Sequence, residues 1–418
     1  MGLDARDEYG LVQGGFRIDS DLAPGELLTF QGDLYTGRFG QYTADDAEVS
    51  GGNFLGRWSR ELGTDSSVML QAYYDRTHRL LPGVGEEDRN SIDIEWQHRF
   101  PLARIHDIIW GLNARLSEDK IDNLGPSLAF LPDQETSYLL SGYVQDEIRV
   151  IPDLLSVTLG SKFEYNSFSG FEVQPSGRFA FTPTKTQTIW GAVSRAVRTP
   201  SRIDQDLFVP NPAFFPASIL RSSRAFDSEE LIAYELGYRA QPASNLKFDL
   251  ALFYHDYDNL RSQEPIGAAP FPVVFANNLE GQSYGAELEV GWQPASWWRM
   301  SLGYTLMQTH FRAVDGSRDT TGGRGHGNDP NHIVVARSSF DLPGDFELDT
   351  IFRYVDRLPA PQTPAYTTVD VRLAWVARDD LELALVGRNL LDDTHPEWRS
   401  GVTREIGRSL YFTVTWRF

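Results

Sequence analysis

Long stretches of alternating apolar and polar residues constrain the fold of this 418-residue chain more than any other feature. In one such stretch, Ile92 and Ile94 alternate with Asp93 and Glu95. Successive side chains of a β-strand point to opposite faces, so the stretch is interpreted as a strand with one charge-free face. The same alternation recurs in the segments 155–165, 287–292 and 369–375. The sequence therefore predicts an all-β fold.

The predicted strands are about nineteen in number and about 11 to 20 residues long, whereas strands of globular proteins usually have about 5–6 residues. They lie near residues 9–19, 26–38, 51–61, 65–79, 89–100, 105–118, 136–150, 154–168, 171–182, 186–198, 228–240, 245–261, 273–293, 297–312, 331–342, 345–357, 364–377, 380–391 and 403–418. Short turns rich in Pro, Gly and Asp alternate with polar loops, the longest of which lie near 118–135, 199–227 and 313–330. This asymmetry is typical of short periplasmic turns and longer extracellular loops. We predict one domain over residues 1–418, a large antiparallel transmembrane β-barrel.

The charged faces of the strands are expected to line the barrel lumen. A charged residue at mid-membrane on the lipid face costs roughly 2–4 kcal/mol, which favours this orientation. The predicted lumen charges are Asp93, Glu95, Lys162, Glu164, Glu287, Glu289, Arg353, Asp370, Arg372, Glu382 and Arg388.

The chain ends in an alternating strand with an aromatic last residue. Its apolar face carries Leu410, Phe412, Val414, Trp416 and Phe418. Such an ending is similar to the assembly signal of bacterial outer-membrane barrels, which the barrel assembly machinery recognises. We therefore predict that the protein lies in the outer membrane of a bacterium, in contact with its lipid.

Composition bears on the mode of membrane insertion, the cellular compartment and the possible partners. No apolar run approaches the roughly 18 residues of a transmembrane helix, so a membrane role requires strands. The chain has no cysteine, which fits the oxidising periplasm and cell surface. Its formal net charge of -20 and the lack of a basic stripe argue against nucleic acid as a partner.

Three motifs resemble those of catalytic, phosphate-binding or metal-binding sites. The sequence GQSYG at 281–285 matches a nucleophile elbow, but an alternating strand follows where the elbow requires a helix. The glycine-rich segment 322–327 lacks the Lys-Ser/Thr of a phosphate loop. His326 and His332 share a loop without the tight spacing of metal ligands. We predict no enzymatic activity, no cofactor and no metal site.

Seven short motifs follow one another in a specific order. They are GGFRID at 14–19, LTFQGD at 28–33, GYVQDE at 142–147, SRAVRTPS at 194–201, EELIAYELGY at 229–238, YGAELEV at 284–290 and GRNLLD at 387–392. Together with the terminal aromatic strand, they resemble the barrel of the TonB-dependent outer-membrane receptors. That family imports ferric siderophores, cobalamin and other scarce nutrients.

The resemblance implies a barrel of 22 strands around an N-terminal plug, preceded by a segment that contacts TonB. The plug, that segment and the first three or so strands have no counterpart in this sequence, and residues 1–6 lack the features of a signal peptide. The chain is therefore expected to be an incomplete 22-stranded receptor barrel, either a C-terminal fragment or a truncated gene product. If an odd number of strands closed alone, the first and last strands would be parallel. The TonB system would act only through the missing plug.

In such a receptor, the long loops contribute to ligand capture. The loop 199–227 combines aromatic rings, which stack on a flat chelate, with guanidinium groups, which pair with carboxylates or catecholates. The candidate ligand-binding residues are Arg202, Phe208, Phe214, Phe215, Arg221 and Arg224. The alternative is that these residues cap the barrel or pack loop against loop.

The expected function is TonB-coupled uptake of a scarce nutrient across the outer membrane, with a ferric siderophore or a similar metal chelate as the small-molecule ligand. Three alternatives stay open at this point. The chain could form an unplugged passive pore, it could be a non-functional truncated remnant, or it could be a soluble secreted all-β binding protein.

Overall fold

The computed structural model describes residues 8–41, 45–210, 218–267, 272–319, 321–360, 362–398 and 405–418. Nineteen of the strand segments in these ranges have at least eight residues, and we number them β1–β19. They are β1 Tyr9–Ala23, β2 Glu26–Phe39, β3 Ala47–Gly63, β4 Ser66–Leu81, β5 Gly85–Leu102, β6 His106–Asn123, β7 Gln134–Ile151, β8 Leu155–Asn166, β9 Gly170–Thr184, β10 Gln187–Arg198, β11 Glu229–Ala243, β12 Leu246–Pro265, β13 Val273–Ala295, β14 Trp298–Ala313, β15 His332–Leu342, β16 Phe346–Val355, β17 Tyr366–Arg378, β18 Leu381–Arg388 and β19 Ser409–Trp416.

Each of these strands pairs with the next one along the chain, and all the ladders are antiparallel. With three short loop segments, they form one sheet of 22 strands. The predicted all-β antiparallel fold and the predicted number of long strands are confirmed. No described helix is long and apolar enough to cross a membrane.

The connections divide the sheet into a turn end and a loop end. At the turn end, every hairpin has two or three connecting residues. Asp65 and Asp153 adopt left-handed backbone angles there, with φ of 62° and 60°. Aspartate tolerates this region better than most residues, which explains its use in these turns. At the loop end, the longest connection spans 199–228, but 82–84 and 167–169 are as short as turns, so the predicted alternation is incomplete.

The two faces of the sheet differ as the sequence predicts. On β5, Ile92 and Ile94 are 51% and 50% exposed, whereas Asp93 between them is 5% exposed. The carboxylate of Asp93 accepts hydrogen bonds from Asn113 at 3.0 Å and from Arg115 at 2.9 Å. An apolar surface of this extent faces lipid or a partner. Asp93 therefore lies on the inner face of the sheet, where it pairs with Arg115.

Several strands continue further toward the loop end than predicted. β6 extends to Asn123, although the sequence predicts a loop from about residue 118. The extension carries Glu118, Asp119 and Lys120, so that both of its faces are polar. The alternation of apolar and polar residues disappears there, while the ladder to β5 continues.

The first and last strands form the edges of the sheet. Among the described residues, β1 pairs only with β2 and β19 only with β18. Because each ladder between successive long strands is antiparallel, β1 and β19 run in the same direction. The predicted assembly residues lie on the outer face of β19, where Leu410, Phe412, Val414 and Trp416 are all exposed, and Phe418 follows them at the turn end.

Candidate functional site

Three loops at the loop end pair with one another and form a small sheet, which we call the loop sheet. Leu207–Pro210 pairs antiparallel with Ala129–Phe130 on one side and with Ser218–Arg221 on the other. Ser218–Arg221 in turn pairs in parallel with Val273 and Val274 at the start of β13. The loop sheet therefore connects the loops that follow β6, β10 and β12.

A short helix, α1 (Arg202–Asp206), leads from β10 into the loop sheet. Its start is fixed by Ser201, whose backbone N–H and hydroxyl both donate to the Asp204 carboxylate, at 3.0 and 2.9 Å. A serine at the N-cap with an acidic residue three positions later is a common start signal of helices. This local pairing aims Asp204 at the barrel wall instead of at solvent.

Asp204 joins α1 to two strands of the wall. Its side chain is fully buried and receives the guanidinium groups of Arg198 at 2.9 Å and Arg261 at 3.0 Å. Burial alone would raise the pKa of Asp204, but the hydrogen bonds from Arg198 and Ser201 outweigh it, so the pKa lies below its ordinary value. Arg198 also contacts Glu229 of β11 at 2.5 Å. Asp204 is therefore a charged centre that holds α1 against β10 and β12.

Arg202 points away from solvent and into the wall, and it is 7% exposed. Its guanidinium contacts Asp119 of β6 and the carbonyl oxygen of Pro132, and it lies 5.7 Å from the ring centroid of Phe130. Its Nε approaches Asp206 to 2.7 Å without a well-aligned hydrogen bond. Arg202 thus connects α1 to β6 and to the loop that follows β6.

Arg224 completes the set, which we call the anchor network. It contacts Asp206 and Glu135, both at 2.8 Å, while its own side chain is 54% exposed. Burial raises the pKa of Asp206 above its ordinary value, against the opposing charges of Arg224 and Arg202. The members of the anchor network are Arg198, Arg202, Arg224, Arg261, Asp119, Glu135, Asp204, Asp206 and Glu229.

The predicted ligand-binding residues occupy three kinds of position. Arg202 and Arg224 belong to the anchor network and share Asp206 as a partner. Phe208 and Arg221 face each other as register partners in the loop sheet. Phe214 and Phe215 lie outside the described residues.

Sequence reasoning missed the wall residues of the anchor network. Arg198, Asp119 and Arg261 belong to strands and contribute partners of α1, and Glu229 of β11 contacts Arg198. Arg198 lies within the motif at 194–201, which is a local signal. The pairing itself has no local signal, because Asp119 and Arg202 are 83 residues apart.

The motif GQSYG at 281–285 lies within β13, and no helix follows it. Its glycines have a structural cause instead. A Cβ atom at Gly281 would approach Phe311 to 2.2 Å, and one at Gly285 would approach the carbonyl oxygen of Leu306 to 1.9 Å. Side chains at these positions would therefore collide with β14. The motif reflects close approach of two strands, not a nucleophile.

His326 and His332 do not share a loop as predicted, because His326 lies in the loop 314–331 whereas His332 is the first residue of β15. His326 contacts the carbonyl oxygen of Arg261 at 3.0 Å, and His332 contacts the hydroxyl of Tyr304 at 2.9 Å. A group of possible metal ligands lies elsewhere among the described residues, on β4 and β5, and it consists of His78, Glu86 and Asp88. Asp88 also accepts from Arg76 at 3.2 Å, which offsets the negative charge that a cation would need.

Comparison with solved structures identifies the fold. A mutant of the ferric enterobactin receptor PfeA of Pseudomonas aeruginosa superimposes with a TM-score of 0.76 at 14% identity, over 99% of this chain and 70% of that chain. The siderophore receptor PirA of Acinetobacter baumannii gives 0.78 at 14% identity, over 99% and 72%. The FrpB iron transporter of Neisseria meningitidis, in its F3-3 variant, gives 0.77 at 13% identity, over 98% and 72%. These proteins are named as receptors and transporters, and at 13–14% identity the likeness shows a shared fold.

No curated protein matches the sequence. The family described as TonB dependent receptor-like, beta-barrel, matches residues 2–390. This range contains β1 to β18 and the whole of the loop sheet and anchor network. Barrels of this family are outer-membrane proteins. The fold, the antiparallel order of its strands and this match together place the chain in the family of TonB-dependent receptor β-barrels.

Proposed function

We propose that the chain forms the barrel part of an outer-membrane receptor that takes up a ferric siderophore or a similar metal chelate with energy from TonB. The observation that carries the proposal is the pairing of Phe208 with Arg221 in the loop sheet. An aromatic face and a guanidinium side by side match the flat rings and negative oxygens of a chelate. PfeA, PirA and FrpB are named for enterobactin, siderophore and iron, which supports this class of ligand.

Within this proposal, the six candidate residues have two roles. Phe208, Arg221 and Arg224 contact the ligand directly, together with Phe214 and Phe215 on the segment between the two loop-sheet strands. Arg202 shapes the site from below, since its guanidinium is buried between carboxylates. The anchor network gives the loop sheet a fixed position, and a preorganised loop binds more tightly than one that must first be ordered.

Ligand titration of the purified chain in detergent micelles tests the proposal. Ferric enterobactin, ferrichrome and cyanocobalamin serve as a catecholate, a hydroxamate and a corrinoid probe, and tryptophan fluorescence reports binding. We expect saturable quenching by an iron chelate, and at least about a tenfold loss of affinity in the double variant Phe208→Ala/Arg221→Gln, which corresponds to about 1.4 kcal/mol. Arg239→Gln is the matched control, because Arg239 pairs with Asp249 on the wall far from the loop sheet. Equal affinities of the double variant and the wild type would refute the site.

Membrane assembly forms a second part of the proposal. The exposed apolar face of β19 would contact outer-membrane lipid and present the terminal signal to the barrel assembly machinery, and energy would reach the receptor through a plug that contacts TonB. Replacing Trp416 and Phe418 by Ser should lower the amount of protein in the outer-membrane fraction, whereas Thr413→Ser on the inner face should not. If both variants reach the membrane equally well, the terminal residues are not the signal.

A further inference from the structure

Two arginines at the turn end of the sheet have no acidic partner. Arg104 lies in the turn between β5 and β6, and Arg149 lies near the end of β7, just before the next turn. Both side chains are exposed. Among the described residues, no carboxylate oxygen lies within 4.0 Å of either guanidinium group. Both cations are therefore available to a bound anion.

The backbone brings these two arginines together. The N–H of Arg149 donates to the carbonyl oxygen of Ile105 at 2.8 Å, next to the ladder pair of His106 and Ile148. Arg104 directly precedes Ile105, so the two side chains start from adjoining backbone segments. A guanidinium group presents its N–H donors in a planar fork that matches the oxygens of a phosphate. Two such groups side by side suit one phosphodiester.

The carboxylates of this region do not neutralise the two arginines. Two of them are already paired, namely Asp107 with Arg99 and Asp146 with His106. Glu147 and Asp153 lie close to Arg149 in the sequence, but neither has a basic nitrogen within 4.0 Å in the part of the chain that the structure describes. The charge of both guanidinium groups is thus directed to the surroundings of the protein.

Exposed apolar side chains flank both arginines. Leu102 and Ile105 are 53% and 45% exposed, and Val150 and Ile151 are 51% and 46% exposed. A cation beside apolar side chains is typical of a membrane interface, where the charge reaches the headgroups and the apolar groups reach the acyl chains. A soluble acidic partner would use the charge but has no need of the apolar surface around it.

The neighbouring hairpins continue the basic surface. Lys185 in the turn between β9 and β10 and Lys247 at the start of β12 are exposed, and among the described residues neither has a carboxylate oxygen within 4.0 Å. The turns on either side of this sector carry acids, such as Asp65 between β3 and β4 and Asp345 between β15 and β16. Cations on four consecutive hairpins reverse the sign of a chain whose net charge is -20. Such a surface attracts anions.

We propose that Arg104 and Arg149 bind the phosphodiester of an anionic phospholipid, whose acyl chains lie against the exposed apolar side chains beside them. Phosphatidylglycerol has both parts, a net negative headgroup and two acyl chains. Basic clusters at a membrane surface are known binding sites for such headgroups. The inference rests on the proposed insertion of the barrel into the outer membrane, but it does not depend on the ligand or on the loop sheet.

Native mass spectrometry of the purified chain tests the site with two lipids that have the same acyl chains. Phosphatidylglycerol is anionic, and phosphatidylcholine is zwitterionic. The first phosphatidylglycerol should bind at least about fivefold more tightly, since this is the contribution of about one cation at a membrane surface. Inorganic phosphate at the same concentration should not displace it, because phosphate has no acyl chains. Displacement by phosphate would reduce the site to one for a free anion and overturn the lipid assignment.

Variants separate the headgroup from the acyl chains. Arg104→Gln/Arg149→Gln should remove most of the preference for phosphatidylglycerol, whereas Ile105→Ser should weaken both lipids alike. Arg318→Gln/Arg357→Gln is the matched control, since both of these arginines are exposed at the loop end and also lack a carboxylate oxygen within 4.0 Å among the described residues. This control should keep the wild-type preference.

Equal affinities of the wild-type chain for the two lipids would overturn the proposal and assign the arginines to a soluble acidic partner. An unchanged preference in the double variant would overturn it as well. If that variant does not fold, the wild type in increasing ammonium acetate decides, because screening must reduce a preference that rests on charge. A preference that survives high salt would contradict the site.

Failure of this site is distinguishable from failure of the proposed function. Retention of both lipids without preference would leave membrane insertion intact and refute only the headgroup site. Absence of any retained lipid would refute insertion and the site together. The chelate titration reads the loop end, so its outcome is separate from both.

Discussion

Arg261 Nη1 on β12 lies 3.0 Å from Asp204 Oδ1 on α1, and this contact ties the longest loop to the barrel wall. The opposite oxygen of the same carboxylate receives Arg198 of β10. One buried side chain thereby bridges strands that are separated by β11 in the sheet. The position of the loop sheet depends on this carboxylate.

Asp204→Asn should detach the loop sheet from the barrel wall. Removing one member of a wholly buried ion pair costs about 3–5 kcal/mol, and the partial exposure of Arg198 and Arg261 reduces the expected loss to about 2–3 kcal/mol. Limited proteolysis should cut the segment 199–228 faster than in the wild type, while the strands stay protected. Asp341→Asn, which breaks an exposed pair with Arg299, is the control and should leave the cleavage rate unchanged. Equal cleavage in both variants would refute the role of Asp204.

Acid should act on the anchor network in two opposite steps. The pKa of Asp206 is raised, so the folded loop gains stability relative to the open loop as pH falls from neutral through that pKa toward the ordinary value of about 3.9. The pKa of Asp204 is lowered, so its contribution is complete above about 3.9 and is lost as pH falls through its own lower pKa. Hydrogen exchange in the segment 202–226, corrected for the intrinsic pH dependence, should therefore slow slightly and then accelerate.

Variants separate the two steps. Asp206→Asn should abolish the slowing and keep the acceleration at low pH, and Asp204→Asn should abolish the acceleration. A single monotonic change that neither variant alters would show that other groups control the loop.

Arg195 fills a gap between β9 and β10. Their ladder begins at the pair Ser176 and Ser194, and beyond it β9 pairs only with β8 and β10 only with β11 among the described residues. Arg195 Nη1 donates to the carbonyl oxygen of Val173 at 2.5 Å, and Pro175, at the point of divergence, has no N–H to offer a ladder. Arg195→Gln should speed amide exchange in residues 170–174 several-fold and leave exchange in 177–183 unchanged. Faster exchange throughout β9 would indicate general destabilisation instead.

Gly285→Ala should destabilise the barrel, because its Cβ atom would lie 1.9 Å from a backbone oxygen of β14. Overpacking of this kind costs about 1–3 kcal/mol. Gly303→Ala is the matched control, since the nearest atom would be 3.9 Å away. The midpoint of urea unfolding in micelles should fall for the first variant only. If both midpoints stay at the wild-type value, the close approach of β13 and β14 is not a constraint.

The strands were predictable because a transmembrane strand requires an apolar side chain at every second position. The alternation of Ile92, Asp93 and Ile94 alone indicates which face of the sheet each side chain occupies, without knowledge of the neighbouring strands. The rule ends where the strands leave the membrane, and the sequence therefore misplaces the end of β6 near Glu118. Beyond the membrane-spanning part of the strands, the position of each segment depends on contacts between residues that are far apart in the sequence.

The anchor network illustrates what sequence alone does not predict. The sequence predicts Arg202 as a ligand contact because it is an arginine in a long loop rich in aromatic residues, but its pairing with Asp119 follows only from the three-dimensional arrangement. A direct contact between Arg202 and a ligand stays a prediction, as does the assembly role of Phe418.

The most direct test of the central claim, that the barrel spans the outer membrane with its loop sheet outside, is cysteine labelling in intact cells. The chain contains no cysteine, so single substitutions report one position each. Ser127→Cys lies at the loop end and Lys185→Cys at the turn end, and both side chains are exposed. A membrane-impermeant maleimide should label Ser127→Cys in intact cells and Lys185→Cys only after lysis. Labelling of Lys185→Cys in intact cells, or of neither position before lysis, would contradict the account.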